Sequence, residues 1–282
     1  MTLLLSGALV TGVGAKASVI GEDDRRAPQV EDSALEGAVG LIFCTRTFES
    51  GRRRSAGTAT VVGSRSTLLT AAHVFEDEAG RRGPRVLFDP VEDCVFRQYD
   101  SSGAVHTEVA IYRAEMGEFR HNAGVPNQDW AILETVAPLP PSTSVIPFAG
   151  PTTDPVTLSG LSIRMIAFHL DVDGARRTPL LSVGELFRVD YGGFTRLAHT
   201  ADTGRMSSGA AIVHRTAEGQ NIVVGVNRSS ANFADFNLAV PLSFELSQAL
   251  SSFAHGQVPA RRHRLALKAH GKTATAAFRT AR

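Results

Sequence analysis

The sequence predicts an all-β chain closed by one short helix. Three observations carry this expectation. Apolar runs are brief, rich in Val, Ile and Leu, and bounded by Gly, Pro, Asn and Ser, as in Ala38–Cys44 and Asn221–Asn227. A helical spacing of apolar residues is clear only at Ser243–Leu250, just after Pro241. Finally, Pro138, Pro140, Pro141, Pro147, Pro151 and Pro155 crowd the stretch between Thr135 and Val156, a composition that resists helix and central-strand pairing and divides the runs into two sets.

With 282 residues, 30.0 kDa and 43% hydrophobic residues, the chain can bury a sizeable core. A net charge of +1 gives no global attraction to nucleic acid or membrane, so no nucleic-acid partner is expected. Two cysteines, Cys44 and Cys94, form neither a zinc pattern nor a disulfide framework. They leave open one bridge or two buried thiols.

Residues 1–17 read as a signal peptide, an apolar stretch ending in Ala15-Lys16-Ala17, although the usual basic start is missing. It is too short and glycine-rich to span a bilayer, so a secreted or periplasmic protein without a transmembrane segment is expected. Strands are predicted over Ala38–Cys44, Gly57–Gly63, Ser66–Thr70, Arg85–Phe88, Val105–Tyr112 and the run after Asp129, with a turn over Glu49–Ser55. Beyond the proline-rich stretch come Leu161–His169, Leu180–Val183, Glu185–Val189, Arg196–His199, Ala211–His214, Asn221–Asn227 and Asn237–Pro241. The tail over 256–282 holds seven Lys and Arg from Arg261 onward and no acid, and reads as a solvated appendage able to touch anionic surfaces.

Three segments carry chemistry. Asp202-Thr203-Gly204-Arg205-Met206-Ser207-Ser208-Gly209-Ala210-Ala211-Ile212 runs from a polar turn into an apolar strand, and the small residues around Ser208 leave its hydroxyl room to attack. In Thr70-Ala71-Ala72-His73-Val74-Phe75, alanines admit close backbone approach beside an imidazole at the end of a strand, which suits a general base. Asp129 heads the apolar run Trp130-Ala131-Ile132-Leu133, where a buried carboxylate could accept the second N–H of that imidazole. Neither a metal site nor an organic cofactor is implied.

Together these segments resemble chymotrypsin-fold (trypsin-like) serine peptidases, particularly the bacterial glutamyl-endopeptidase, or V8-like, branch. The run Val19-Ile20-Gly21-Glu22-Asp23-Asp24-Arg25-Arg26 is similar to the mature N-terminus of that branch, which implies Val19 as a processed terminus. The resemblance implies two packed six-stranded β-barrels and a short terminal helix: a peptidase domain over 19–255, with a first barrel about 36–136, a linker about 137–156, a second barrel about 157–241 and the helix about 242–253. It further implies a monomeric serine endopeptidase acting on polypeptides, with Ser208 as nucleophile, His73 as base, Asp129 as its orienting carboxylate, and the N–H groups of Met206 and Ser208 as oxyanion hole. Asp202, Thr203 and Asn227 fall at pocket positions.

The chain departs from the family in three places. Val74 stands where a cysteine often follows the histidine, so Cys44 loses its usual partner. Asn227 replaces the histidine that reads glutamate, leaving specificity open. Met206 replaces a glycine of the oxyanion turn, so an impaired homologue acting as a binding or scaffold module is the alternative expectation.

Overall fold

The computed structural model describes residues 19–48, 51–77, 86–117, 128–150, 158–172, 177–191, 194–230 and 235–256, and two short paired stretches at 268–269 and 272–273. The predicted signal peptide over 1–17 and nearly all of the basic tail lie outside the described residues.

A short 3-10 turn (Val30–Asp32) and helix α1 (Ser33–Glu36) lead into the first barrel. Its strands are β1 (Val39–Phe48), β2 (Gly51–Val61), β3 (Thr67–Thr70), β6 (Cys94–Tyr99), β7 (Val105–Met116) and β8 (Ala131–Thr135), with β4 (Glu76–Asp77) and β5 (Val86–Leu87) forming a separate small pair. The order β1-β2-β3-β8-β7-β6 closes where β1 pairs with β6, and every pairing is antiparallel. The second barrel, β9 (Ser162–Ala167), β10 (Leu180–Tyr191), β11 (Phe194–His199), β12 (Ala211–Arg215), β13 (Asn221–Ser230) and β14 (Asn237–Pro241), closes in the order β10-β11-β14-β13-β12-β9. The expected pair of six-stranded barrels is therefore the observed architecture.

Why the second-barrel strands read as nearly continuous apolar runs follows from their period of two. Ile163, Met165 and Ala167 of β9, Ile212 of β12 and Val224 of β13 fill one cluster inside that barrel. Their neighbours Ile166, Val213 and Val223 join a second cluster with first-barrel residues such as Leu68, Trp130 and Ile132. Both faces are buried, so little polar alternation survives in the sequence.

Helix α2 (Phe244–Ala254) packs against β3 and β8. The Ser243 hydroxyl caps it, accepting the Leu246 N–H at 3.2 Å, and Leu246, Ala249, Leu250 and Phe253 form its buried stripe. Among the described residues no helix is long and apolar enough to cross a membrane.

Several local expectations need correcting. The predicted turn over Glu49–Ser55 is mostly strand: Arg52, Arg53 and Arg54 pair with Thr47, Arg46 and Thr45, so β-pairing extends a hairpin whose composition signalled a solvated loop. Of the predicted Arg85–Phe88 strand, Arg85 lies outside the described residues and Val86–Leu87 is extended, outside the barrel. The barrel instead uses Cys94–Tyr99, whose alternating burial was masked by Arg97 and Gln98. The separate strands predicted at Leu180 and Glu185 are one strand, β10, running through Gly184. Gly184 fits because a Cβ there would lie 2.3 Å from the Ala201 nitrogen.

Cys44 and Cys94 are cross-strand partners of β1 and β6 and form a disulfide, which closes the alternative of two free thiols.

Candidate active site

Strand pairing brings the histidine and the aspartate together. Thr70, the last residue of β3, lies opposite Ala131, the first of β8, so the residues after one and before the other are neighbours. His73 sits three residues beyond Thr70, on a single 3-10 turn (Ala72–Phe75) rather than in the strand itself. Asp129 lies two residues before Ala131. The His73 Nδ1 is 2.8 Å from Asp129 Oδ2, and the His73 main-chain N–H donates to Asp129 Oδ1 at 3.0 Å. These two bonds fix both ring orientation and carboxylate.

Asp129 is 1% exposed and carries a third contact, from Arg228 Nε to Oδ2 at 3.2 Å. Burial alone would raise its pKa, but the His73 charge, the two His73 hydrogen bonds and the Arg228 charge outweigh it and hold the carboxyl below its usual range. The acid is an anion at neutral pH.

Ser208 comes from the second barrel, in the loop entering β12. Gly209 N donates to Asn227 O at 2.9 Å and Asn227 N to Ala210 O at 2.8 Å, which extends the β12–β13 ladder and sets Ser208 beside Arg228. The Ser208 hydroxyl donates to the Arg228 carbonyl at 3.2 Å. Gly209 has φ +88°, and a Cβ there would meet Thr70 Oγ1 at 2.1 Å and Ala71 N at 2.8 Å. Only glycine lets the serine loop approach the histidine segment this closely. Ser207 is buried, its hydroxyl donating to Gly204 O at 2.8 Å and accepting from Gly204 N and Asn227 Nδ2, each at 3.2 Å. Ser208 is the more accessible of the adjacent serines.

Met206 adopts φ +79°, the left-handed region that glycine would enter without penalty. Neighbours hold both of its peptide planes. Leu170 N donates to Arg205 O at 3.0 Å on one side, while on the other the Thr58 hydroxyl and N–H reach Met206 O at 2.7 and 2.9 Å. Among the described residues, the main-chain N–H groups of Met206 and Ser208 have no hydrogen-bond acceptor.

The three expected pocket positions are all buried and all engaged. Asp202 accepts the N–H of Ile20 at 2.6 Å and of Asp24 at 3.0 Å, so its carboxylate faces the N-terminal segment. Burial and the neighbouring Asp24 raise its pKa, against the lowering effect of those two N–H bonds. That segment also pairs with β10 through Arg26 and Leu181. Thr203 donates to Asn237 Oδ1 at 2.9 Å. Asn227 Oδ1 lies 3.2 Å from His199 Nε2, and its amide donates to Ser207 O at 2.9 Å. His199 is fully buried, and desolvation pushes its pKa down to about 4, against the raising effect of the Asn227 bond. The sequence reading passed over His199, Asn237, Arg228 and Thr58; His199 and Asn237, polar residues at the ends of apolar runs, offered a signal, whereas Arg228 stands at a register shift that alternation does not foresee. Among the described residues no cluster of His, Cys, Asp and Glu is arranged to hold a metal ion.

No protein-family model and no curated protein matches the sequence. Solved structures do match. A Glu endopeptidase is 18% identical with a TM-score of 0.62, covering 85% of this chain and 100% of its own. Protease Anisep from Arthrobacter nicotinovorans is 13% identical at 0.59, covering 78% of this chain and 96% of that one. A human heparin binding protein is 12% identical at 0.53, over 80% and 94%. With two closed antiparallel barrels and a C-terminal helix, the chain has the chymotrypsin-like fold of serine peptidases.

Proposed function

We propose that the protein is a serine endopeptidase in which Ser208, His73 and Asp129 act as a catalytic triad. The observation that carries this reading is the 2.8 Å contact between His73 Nδ1 and a buried Asp129, with the loop of the half-buried Ser208 packed against the histidine segment at Gly209. Asp129 fixes the tautomer that leaves Nε2 as the proton acceptor, and stabilises the imidazolium that forms. As substrate enters, the Ser208 hydroxyl leaves the Arg228 carbonyl and passes its proton to His73 while its oxygen attacks the peptide carbonyl. The unengaged N–H groups of Met206 and Ser208 receive the oxyanion. His73 then protonates the leaving amine, and water clears the acyl-enzyme by the same steps in reverse. Each oxyanion donor supports turnover by roughly 100- to 1000-fold.

The pocket reading is narrower than the triad. Thr203 and Asn227 supply neutral polar groups, and Asp202 is occupied by the Ile20 and Asp24 N–H groups, which argues against its use as a receptor for Arg or Lys. The docking of Ile20 on Asp202 supports Val19 as a processed terminus. The disulfide supports an extracellular site of action, in keeping with the export signal proposed for 1–17.

A second reading, a binding module without turnover, is favoured by Met206 in the oxyanion turn, and a heparin binding protein shares the fold. The experiment that separates the two incubates protein starting at Val19 and at Met1 with unfolded casein and with a serine-directed phosphonate. Cleavage and labelling that vanish in Ser208→Ala and His73→Ala establish the peptidase. Neither signal from either wild-type form would leave the binding module.

A further inference from the structure

Arg228 places a guanidinium beside the buried Asp129 carboxylate. Its Nε is 3.2 Å from Asp129 Oδ2, the oxygen that also faces His73 Nδ1 at 2.8 Å. Its side chain is 18% exposed, so the charge acts through a partly desolvated path. The placement belongs to a register shift in β13: Asn227 pairs with Ala239 and Ser229 with Leu238, so Arg228 stands at the irregularity, where it reaches Asp129 while Asn227 turns its amide to His199 and Ser207.

We propose that Arg228 is a positioning residue of the reaction, sharing the Asp129 carboxylate with His73 and setting the pH at which the imidazole becomes a free base. The proposal rests on the peptidase reading above. A guanidinium at this spot does two things, of which the second needs its charge. It stabilises the Asp129 anion, and across a single carboxylate oxygen it repels the imidazolium, so His73 gives up its proton at lower pH. The cationic charges facing Asp129 among the described residues are His73, from its 3-10 turn, and Arg228, from β13. Gln128, next to Asp129 in the sequence, is neutral and donates to Glu245 of α2 at 3.0 Å. The arginine therefore trades some stabilisation of the imidazolium for a working range extended toward acid.

The test is the pH dependence of kcat/KM for wild type, Arg228→Gln and Arg228→Lys on a casein-derived peptide, with Arg228→Met in reserve should the glutamine variant fold poorly. Removing the charge moves the acidic limb upward by roughly one pH unit, and lysine returns it toward wild type. A uniform loss at every pH with an unmoved limb would reduce Arg228 to a structural role and overturn the proposal. An NMR titration of the His73 imidazole in the Ser208→Ala background reads the same coupling without turnover. There the midpoint rises in Arg228→Gln, and an unchanged midpoint sinks the proposal even if the protein is an active peptidase. A midpoint that moves in a protein cleaving no substrate and taking no phosphonate overturns the peptidase reading and the catalytic role with it.

Discussion

The Leu170 N–H donates to the Arg205 carbonyl at 3.0 Å, fixing the peptide plane whose other end is the Met206 N–H. Thr58 clamps the next carbonyl, that of Met206, at 2.7 Å through its hydroxyl. Between the two clamps Met206 is held at φ +79°, so the geometry of the turn is imposed by residues outside it.

Replacing Met206 by glycine should therefore alter turnover by less than about tenfold, since the donor already has its orientation. Relief of a strain of about 1–2 kcal/mol is offset by lost packing and a freer unfolded chain, leaving stability within about 1 kcal/mol of wild type. A rise in kcat of two orders of magnitude in Met206→Gly would mean that the wild-type hole is defective. Thr58→Val removes the hydroxyl from one clamp, keeps its main-chain N–H bond, and leaves the Phe168 N–H without its 3.1 Å acceptor, which should lower stability by about 1–3 kcal/mol in thermal unfolding.

Asp129→Asn keeps the shape of the site and removes the charge. It should lower kcat by about 10⁴-fold with KM little changed, the signature of an orienting group whose loss favours the wrong histidine tautomer. Because the folded carboxyl lies below its ordinary 3.8, its contribution to stability is present above that value and is lost as the pH falls through the lower folded value. Acid titration of wild type against Asp129→Asn by circular dichroism measures this.

His199 acts in the same direction in a higher pH window. Desolvation holds it at about 4 in the folded protein, against 6.5 for an exposed imidazole. The unfolded chain binds a proton that the folded one refuses, so stability falls as the pH drops from 6.5 to about 4, by on the order of 3 kcal/mol. His169, pushed down to about 4 by burial and then by the Arg25 charge, adds to the same window. His199→Gln should flatten the loss in thermal scans across that range; an unchanged slope would mean that the buried ring is not the source.

Reduction of Cys44–Cys94, or its replacement by a pair of serines, releases a 50-residue loop in the unfolded chain. A loss of about 2–4 kcal/mol is expected, read as a lower midpoint in denaturant with folding retained. Because the bridge joins β1 to β6, the seam of the first barrel should be the first region to exchange its amide hydrogens.

Local chemistry was legible in the sequence where it is concentrated in a few adjacent residues. The glycine after Ser208 announced close approach, because a Cβ there would collide with Thr70, and the apolar runs around His73 and after Asp129 announced burial. The all-β class followed from the length and spacing of the apolar runs. What sequence could not supply was contact between distant segments: the Arg52–Arg54 run became strand only because β1 offered it a partner, and Cys44 met Cys94 only because β1 and β6 closed a barrel. Arg228 reads as an ordinary surface arginine until β12 and β13 pair and turn it toward Asp129. The backbone of Met206 is the same kind of fact. Its residue type argues against the left-handed region, and Leu170, from the bend after β9, and Thr58, from β2, supply hydrogen bonds that hold it there.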